Sequence, residues 1–330
     1  MNTLAPTLES WFTVRLIGQR HVSSHTVTAY RDTWRLLLRF IHDRSGREPC
    51  QLDLSDIDAS TVGAFLDHVE AERHGTVRTR NARLAAIHSF FHYAALCHPE
   101  YAEVIARVLA VPTKRCQRTE VSYLTRAELD ALLAAPDRTT WTGRRDHVLL
   151  AVAAQTGLRV SELTGLRNLD VELASGAHVH CRGKGRKDRC TPLDKGSVAL
   201  LRAWMRERRG EPDDPLFPTR RGSVLGRGAV TALVTKYATT AAKRCPSLRA
   251  KKLTPHVLRH TCAMQLLEAG VDITVIAMWL GHERIETTVG TYLHADMSIK
   301  ERALARTTPL DTKPGRYRPS DQLLEFLDAL

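Results

Sequence analysis

The 330-residue sequence predicts a mainly α fold of the α+β class, with helices from end to end and one small β-hairpin in the second half. Two observations lead there. Apolar residues recur at steps of three and four along most of the chain, the spacing of one helix face. Only residues 178–182 and 189–193, on either side of a basic turn with two glycines, read as a pair of strands.

The first region, residues 1–112, reads as short amphipathic helices. In 24–41 the apolar positions are Val27, Tyr30, Trp34, Leu37, Leu38 and Ile41. A second helix carries Val62, Phe65, Leu66 and Val69, and a third carries Leu84, Ile87, Phe91 and Ala94 and stops before Pro99. A fourth covers 101–109. The third helix begins with a dense basic stripe, Arg78, Arg80 and Arg83. Such a stripe is usually a solvated face. Ser23, His25 and Thr26 at the start of the first long helix make both segments candidates for contacting phosphates.

Residues 113–122 are polar, basic and unpatterned, which suits a linker. A second domain, 123–311, opens on a helix whose Thr125 and Glu128 have capping-box spacing. A buried helix over 144–156 should stop at Gly157. Pro255 stands at the first position expected of a helix over 255–269, with Gly270 as its stop. Another helix, 272–280, is stopped by Gly281. Beyond a polar joint, residues 312–330 form a tail whose terminal helix, with Leu323, Leu324, Phe326 and Leu327, needs a surface to dock on, in its own chain or a neighbour.

Composition narrows the partner. Lys and Arg number 48 against 36 Asp and Glu, a net charge of +12. A surplus of that size argues for a polyanion, whose counterions are released on binding, without separating DNA from RNA or a membrane surface. The seven cysteines are scattered and contain no C-x-x-C pair, so neither a disulfide framework nor a zinc site is expected. No apolar run approaches the ~20 residues of a membrane span. The start lacks a secretory pattern, so the chain is expected in the cytoplasm.

Several residues carry possible chemistry. Arg159 follows a helix-ending glycine in an apolar setting and needs an anionic partner, which Glu162 or a bound anion could be. His256 and Arg259, three apart, share a face at the start of a helix, where free N–H groups favour an anion. Lys184 sits at the hairpin tip with Arg186 and Lys187. His282 follows the helix-stopping Gly281, and Tyr292 lies ten residues further on. Singly each has a bland reading: a solvated lysine, a core histidine, a core tyrosine.

Jointly and in order, the segments TGLRVSEL (156–163), RGKGRKDRCTPL (182–193), LTPHVLRHTCAMQLLEAG (253–270) and LGHERIETTVGTYLHAD (280–296) carry a specific pattern. The chain resembles the tyrosine recombinases, the phage-integrase and Xer-like DNA strand-exchange enzymes. The resemblance implies an N-terminal helical core-binding, SAM-like domain ahead of a catalytic domain. It implies that Arg159 and Arg259 clamp the scissile phosphate, a task suited to guanidinium forks. Lys184 would protonate the leaving 5′-oxygen, His256 and His282 would assist, and Tyr292 would be the nucleophile. An ordinary phenol, with a pKa of ~10, needs a base and a cationic site before it attacks at neutral pH. Fixed cations can stabilise the charge that builds on the phosphate, so neither metal nor ATP is expected.

One departure stands out. Three residues, Val289, Gly290 and Thr291, separate the Thr-Thr pair from Tyr292, one more than the family pattern has. The extra residue either bulges harmlessly or loosens the nucleophile's aim. The resemblance implies site-specific recombination through a 3′-phosphotyrosyl intermediate, with double-stranded DNA as partner and a homotetramer, with or without partner recombinases, in the synapse. The spacing and the tail favour a nucleoid-associated mobile-element integrase, acting in transposition or excision, over a chromosome-dimer resolvase. The alternative is a catalytically weak DNA-binding accessory subunit of the same fold.

Overall fold

The computed structural model describes residues 3–116, 121–182, 188–282 and 285–293, together with Leu324, Phe326 and Leu327. The hairpin tip with Lys184, Arg186 and Lys187 lies outside the described residues, as does most of the expected tail helix. Leu324, Phe326 and Leu327 are helical and exposed. The chain divides into two compact units, Met1–Thr119 and Glu120–Leu330.

The first unit is all helix. Helix α1 (Leu4–Ser10) runs on as a π-helical stretch, Trp11–Gln19, and is succeeded by α2 (Ser24–Ser45), α3 (Ala59–Ala71), α4 (Val77–Cys97) and α5 (Ala102–Leu109). Ser23, Asp58 and Thr76 cap α2, α3 and α4 with side-chain oxygens that accept backbone N–H bonds, satisfying donors the first turn leaves orphaned. The expected apolar stripes of α3 and α4 are fully buried. Around them Trp11 stacks on Tyr30, and Trp34 meets Phe90 edge to face at 4.5 Å.

The basic stripe on α4 is not the uniform outer face its composition suggests. Arg78 is exposed. Arg80, by contrast, is 6% exposed, and its guanidinium donates to Pro112 O and Asn81 Oδ1 and lies 3.6 Å from Glu70. Arg83 ties α4 to α2 by donating to Ala29 O and to Thr33 Oγ1 at 2.8 Å. The reason is periodicity: Arg80 stands one helical step before the buried Leu84 and Ile87, so its Cβ faces inward.

In the second unit, α6 (Arg126–Leu133) opens on the expected capping box between Thr125 and Glu128. Lys251 binds both Glu128 and Tyr123 O, anchoring the segment that enters this unit. Helix α7 (Trp141–Thr156) is the central element, with Val148, Leu149, Leu150 and Val152 buried, and it starts three residues before the expected position 144. Next come α8 (Val160–Gly165), β1 (Val171–Glu172), β2 (His178–Arg182), β3 (Asp188–Pro192), α9 (Lys195–Arg208), α10 (Arg227–Ala241), α11 (Pro255–Glu268), α12 (Ile273–Leu280) and α13 (Ile285–Thr288). A π-helical turn, Val289–Leu293, comes after α13.

The strands form one antiparallel sheet in the order β1-β2-β3. The expected hairpin is its β2–β3 pair, with His180 opposite Cys190 and Cys181 opposite Arg189. Strand β1 has no counterpart among the expected elements, since two residues are too few to show alternation.

Candidate active site

The site is assembled around the C-terminal end of α12. A helix end leaves carbonyls without intrahelical partners and carries partial negative charge, so it attracts cations. Here three successive carbonyls each receive one arginine from a different element. Arg189 Nε on β3 donates to Trp279 O at 3.2 Å, Arg259 Nη2 on α11 to Leu280 O at 2.7 Å, and Arg159 Nη2 to Gly281 O at 2.9 Å. Gly281 caps α12 in the left-handed conformation, φ 64°.

A second glycine brings the elements close enough for this. Gly157 ends α7 at φ 63°, and a Cβ there would lie 2.7 Å from Leu280 Cδ2 and 3.1 Å from Cys262 Sγ. Only glycine permits both the backbone conformation and the contact. The Gly157 carbonyl then accepts from Arg259 Nη1 at 2.7 Å. Arg259 is 2% exposed. Desolvation, helped by the nearby charge of Arg159, pulls its pKa down to about 10.

Glu162, on the first turn of α8, is the carboxylate of the cluster. It accepts four hydrogen bonds: from the Arg159 backbone N–H and Nη1, and from both terminal nitrogens of Arg189. Burial alone would raise its pKa, but Arg189 and Arg159 outweigh that and bring it down to about 2. The ion pair between Arg159 and Glu162 is therefore present. Arg159 remains the more open of the two phosphate-clamp candidates, with 36% of its side chain exposed.

The histidines and the tyrosine complete the cluster. His282 Nδ1 lies 2.7 Å from the Oγ1 of the buried Thr288 on α13. Desolvation and then the charges of Arg259, Arg159 and Arg189 push its pKa down to about 4. His256 is exposed at the start of α11, its ring 4.3 Å from that of His260. Its pKa is lowered too, by desolvation and then by Arg259 and Arg159. Tyr292 is 1% exposed, packed with Met264, Leu267, Ile276 and Leu280. Desolvation pushes its phenol up to about 12, partly offset by Arg259.

The hydroxyl of Tyr292 meets His260, at 2.8 Å from Nδ1, and not either of the two histidines singled out in the sequence. Burial, then the neighbouring His256 and Arg259, push the pKa of His260 to about 4, so the ring is neutral at pH 7. His260 and Arg189 are participants that the sequence motifs did not single out. His260 sits one turn beyond His256 on the same helix, a signal present in the sequence. Arg189 has only its place on β3, which says nothing about a partner 27 residues away.

The structure thus gathers Arg159, His256, Arg259, His282 and Tyr292 of the expected set. In the other unit, Ser23 caps α2, its Oγ 3.0 Å from Thr26 Oγ1, and His25 beside them is exposed.

Comparisons with known proteins agree in direction. Residues 122–298 match the phage integrase family and residues 10–96 match the phage integrase N-terminal SAM-like domain. A protein of Sinorhizobium fredii carrying the name putative integrase/recombinase y4rC is 52% identical over 99% of this chain and 98% of its own. Tyrosine recombinase XerD of Pseudomonas aeruginosa is 30% identical over 87% of this chain and 93% of its own. In fold, the chain is similar to XerH site-specific recombinase bound to palindromic difH substrate (TM-score 0.69, 24% identity, covering 87% of this chain and 81% of that one). It is similar also to the Tn1549 transposon integrase in complex with transposon right end DNA (TM-score 0.69, 16% identity, covering 90% and 98%). With the catalytic-domain match running over more than half its length and these relatives aligned along nearly all of it, the chain belongs to the phage integrase family, the tyrosine recombinases.

Proposed function

We propose that the chain is a site-specific DNA recombinase that integrates or excises a mobile element. Tyr292 Oη attacks the scissile phosphorus as its proton passes to a neutral histidine of the site, and the bond to the 5′-oxygen breaks. The products are a 3′-phosphotyrosyl link and a 5′-hydroxyl, which takes its proton from Lys184. Arg159 and Arg259 bind the non-bridging oxygens, with His256 and His282 beside them. The phosphodiester energy is kept in the covalent link, so rejoining to a second duplex in a tetramer draws on no nucleotide. The observation that carries this reading is the set of arginines on the α12 carbonyls with Tyr292 buried beside it.

The cluster is short of negative charge. The single charge of Glu162 is set against three guanidiniums, which leaves two positive charges for a phosphate, and fixed cations act strongly where water is excluded. At a pKa of about 12, Tyr292 is a poor nucleophile as it stands. The arrangement is read as a resting one, from which bound DNA draws the hydroxyl toward the clamp. The integrase/recombinase name of the relative at 52% identity supports a mobile-element role. The extra residue before Tyr292 and the depth of its burial favour, as second reading, an accessory subunit with weak catalysis.

A nicked suicide duplex separates the two. Its binding site is selected from a random pool by the full-length protein. Recombinase chemistry gives a covalent protein–DNA adduct that is lost in Tyr292→Phe. Binding without any adduct, on a duplex that also contains the natural exchange point, would sink the enzyme reading and leave the accessory one.

A further inference from the structure

We infer that Arg189 is a positioning residue for the phosphate clamp: through the shared carboxylate of Glu162 it keeps the guanidinium of Arg159 turned toward substrate. This rests on the proposed function, in which Arg159 binds the scissile phosphate. In this role Arg189 itself reaches no phosphate. Its side chain is 13% exposed and faces Glu162 and the end of α12.

The two arginines share the carboxylate unequally. Glu162 Oε1 accepts from Arg159 Nη1 at 2.9 Å and from Arg189 Nη1 at 3.1 Å. Oε2 accepts from the Arg159 backbone N–H and from Arg189 Nη2, both at 2.8 Å. Arg189 therefore holds both oxygens in a fork, while the Arg159 side chain holds one. A buried carboxylate must be matched by charge and hydrogen bonds. With Arg189 in place that demand is met mostly by a guanidinium that does nothing else chemically. Arg159 then keeps a terminal nitrogen for Gly281 O and a charge that the shared Glu162 neutralises only in part.

Removing Arg189 changes the balance. Glu162 would lose two of its four donors while staying buried. The nearest cation able to replace them is Arg159, which would rotate from its single-pronged contact into a two-pronged pair and leave Gly281 O. The clamp would lose both its aim and its free charge. The third grip of Arg189, on Trp279 O, fixes the helix end that also receives Arg159 and Arg259, and Trp279 Nε1 donates to Thr156 O at 3.1 Å. Lysine cannot replace such a residue, because a point charge on a flexible stem cannot hold two oxygens and a carbonyl in one plane.

The test uses the full chain and the selected suicide duplex, made with either an ordinary phosphodiester or a neutral methylphosphonate at the scissile position. On the phosphodiester, Arg189→Met and Arg189→Lys are each expected to slow adduct formation by about 100-fold, the scale of a small misplacement of a reacting group. On the methylphosphonate, where less charge awaits the second guanidinium, the loss should be far smaller. Equal losses on the two substrates, or a loss under about tenfold on the phosphodiester, would overturn the inference, since a merely structural arginine slows both alike. If the wild type forms no adduct at all, it is the proposed function that falls. The crystal structure of Arg189→Met then decides the positioning role: Arg159 paired two-pronged with Glu162 and off Gly281 O supports it, and Arg159 unmoved overturns it.

Discussion

Glu162 shows how a single side chain can report on this site. Its carboxylate titrates near pH 2 in the folded protein against 4.5 ordinarily. The stabilisation it provides is complete above pH 4.5 and disappears as the pH falls toward 2. A shift of that size corresponds to about 3 kcal/mol by linkage. His260 and His282 act in a different window. Their folded-state values near 4 lie below the ordinary 6.5, so the unfolded chain takes up these protons first. Stability is therefore flat above pH 6.5 and falls between 6.5 and 4. Denaturant midpoints measured from pH 8 to 2 should show both declines, and Glu162→Gln should make the lower one shallower while keeping the upper, since Asp53 and Glu128 also have lowered values. The same variant leaves two guanidiniums facing a neutral amide, a loss of about 3–5 kcal/mol for breaking a buried pair. A stability at pH 7 equal to wild type would show that Glu162 is not the hub described.

Helix ends set the spacing of the site, and two of them can be altered cleanly. Gly157→Ala places a methyl against Leu280 and Cys262 at a backbone angle that side chains disfavour. The left-handed conformation costs about 1–2 kcal/mol and the overpacking about 1–3 more. A thermal unfolding midpoint within a degree of wild type would refute the close approach. The π-helical turn Val289–Leu293 gives the extra residue before Tyr292 a place. A π turn closes its hydrogen bond over one residue more than an α turn, so a single insertion is absorbed without rotating the residues after it. Deleting Gly290 should thus leave an ordinary α turn that still presents Tyr292, and adduct formation should survive. Inserting a second glycine there should abolish it. Loss of activity on deletion would mean that the turn itself is needed, and not only the alignment it preserves.

Across the whole chain, a net charge of +12 and two mainly helical units describe a protein expected to grip DNA chiefly through phosphates. If six to ten phosphates are contacted, affinity for a duplex should fall by about 10³–10⁵ between 50 and 200 mM salt. A nearly flat salt dependence in a filter-binding or anisotropy titration would contradict that. Among the exposed candidates, Arg78→Ala should lower the slope by about one contact. Arg80→Ala should instead lower stability, because that guanidinium is buried between Glu70 and Pro112 O.

Much of this molecule is legible in the order of its amino acids. The helices of the first unit, the hairpin, the glycine stops at 157, 270 and 281 and the proline start at 255 all rest on local rules. The period of a helix face, the freedom of glycine and the missing N–H of proline act within a few residues. The motif residues Arg159, His256, Arg259, His282 and Tyr292 are weak candidates singly, and are legible only because their joint order resembles a known family. Strand β1, the inward turn of Arg80, the hydroxyl of Tyr292 on His260 and the fork of Arg189 on Glu162 are not legible that way. For Arg80 the helical step to Leu84 does mark an inward position, and the basic composition of its stripe masks it. The others depend on which helix ends and strands meet in space. Apolar periodicity says which face of an element is buried, and it carries no information about the carbonyls waiting opposite. Where three arginines find three consecutive carbonyls at the end of α12 and its cap, packing made the assignment, because buried charges settle wherever their partners are.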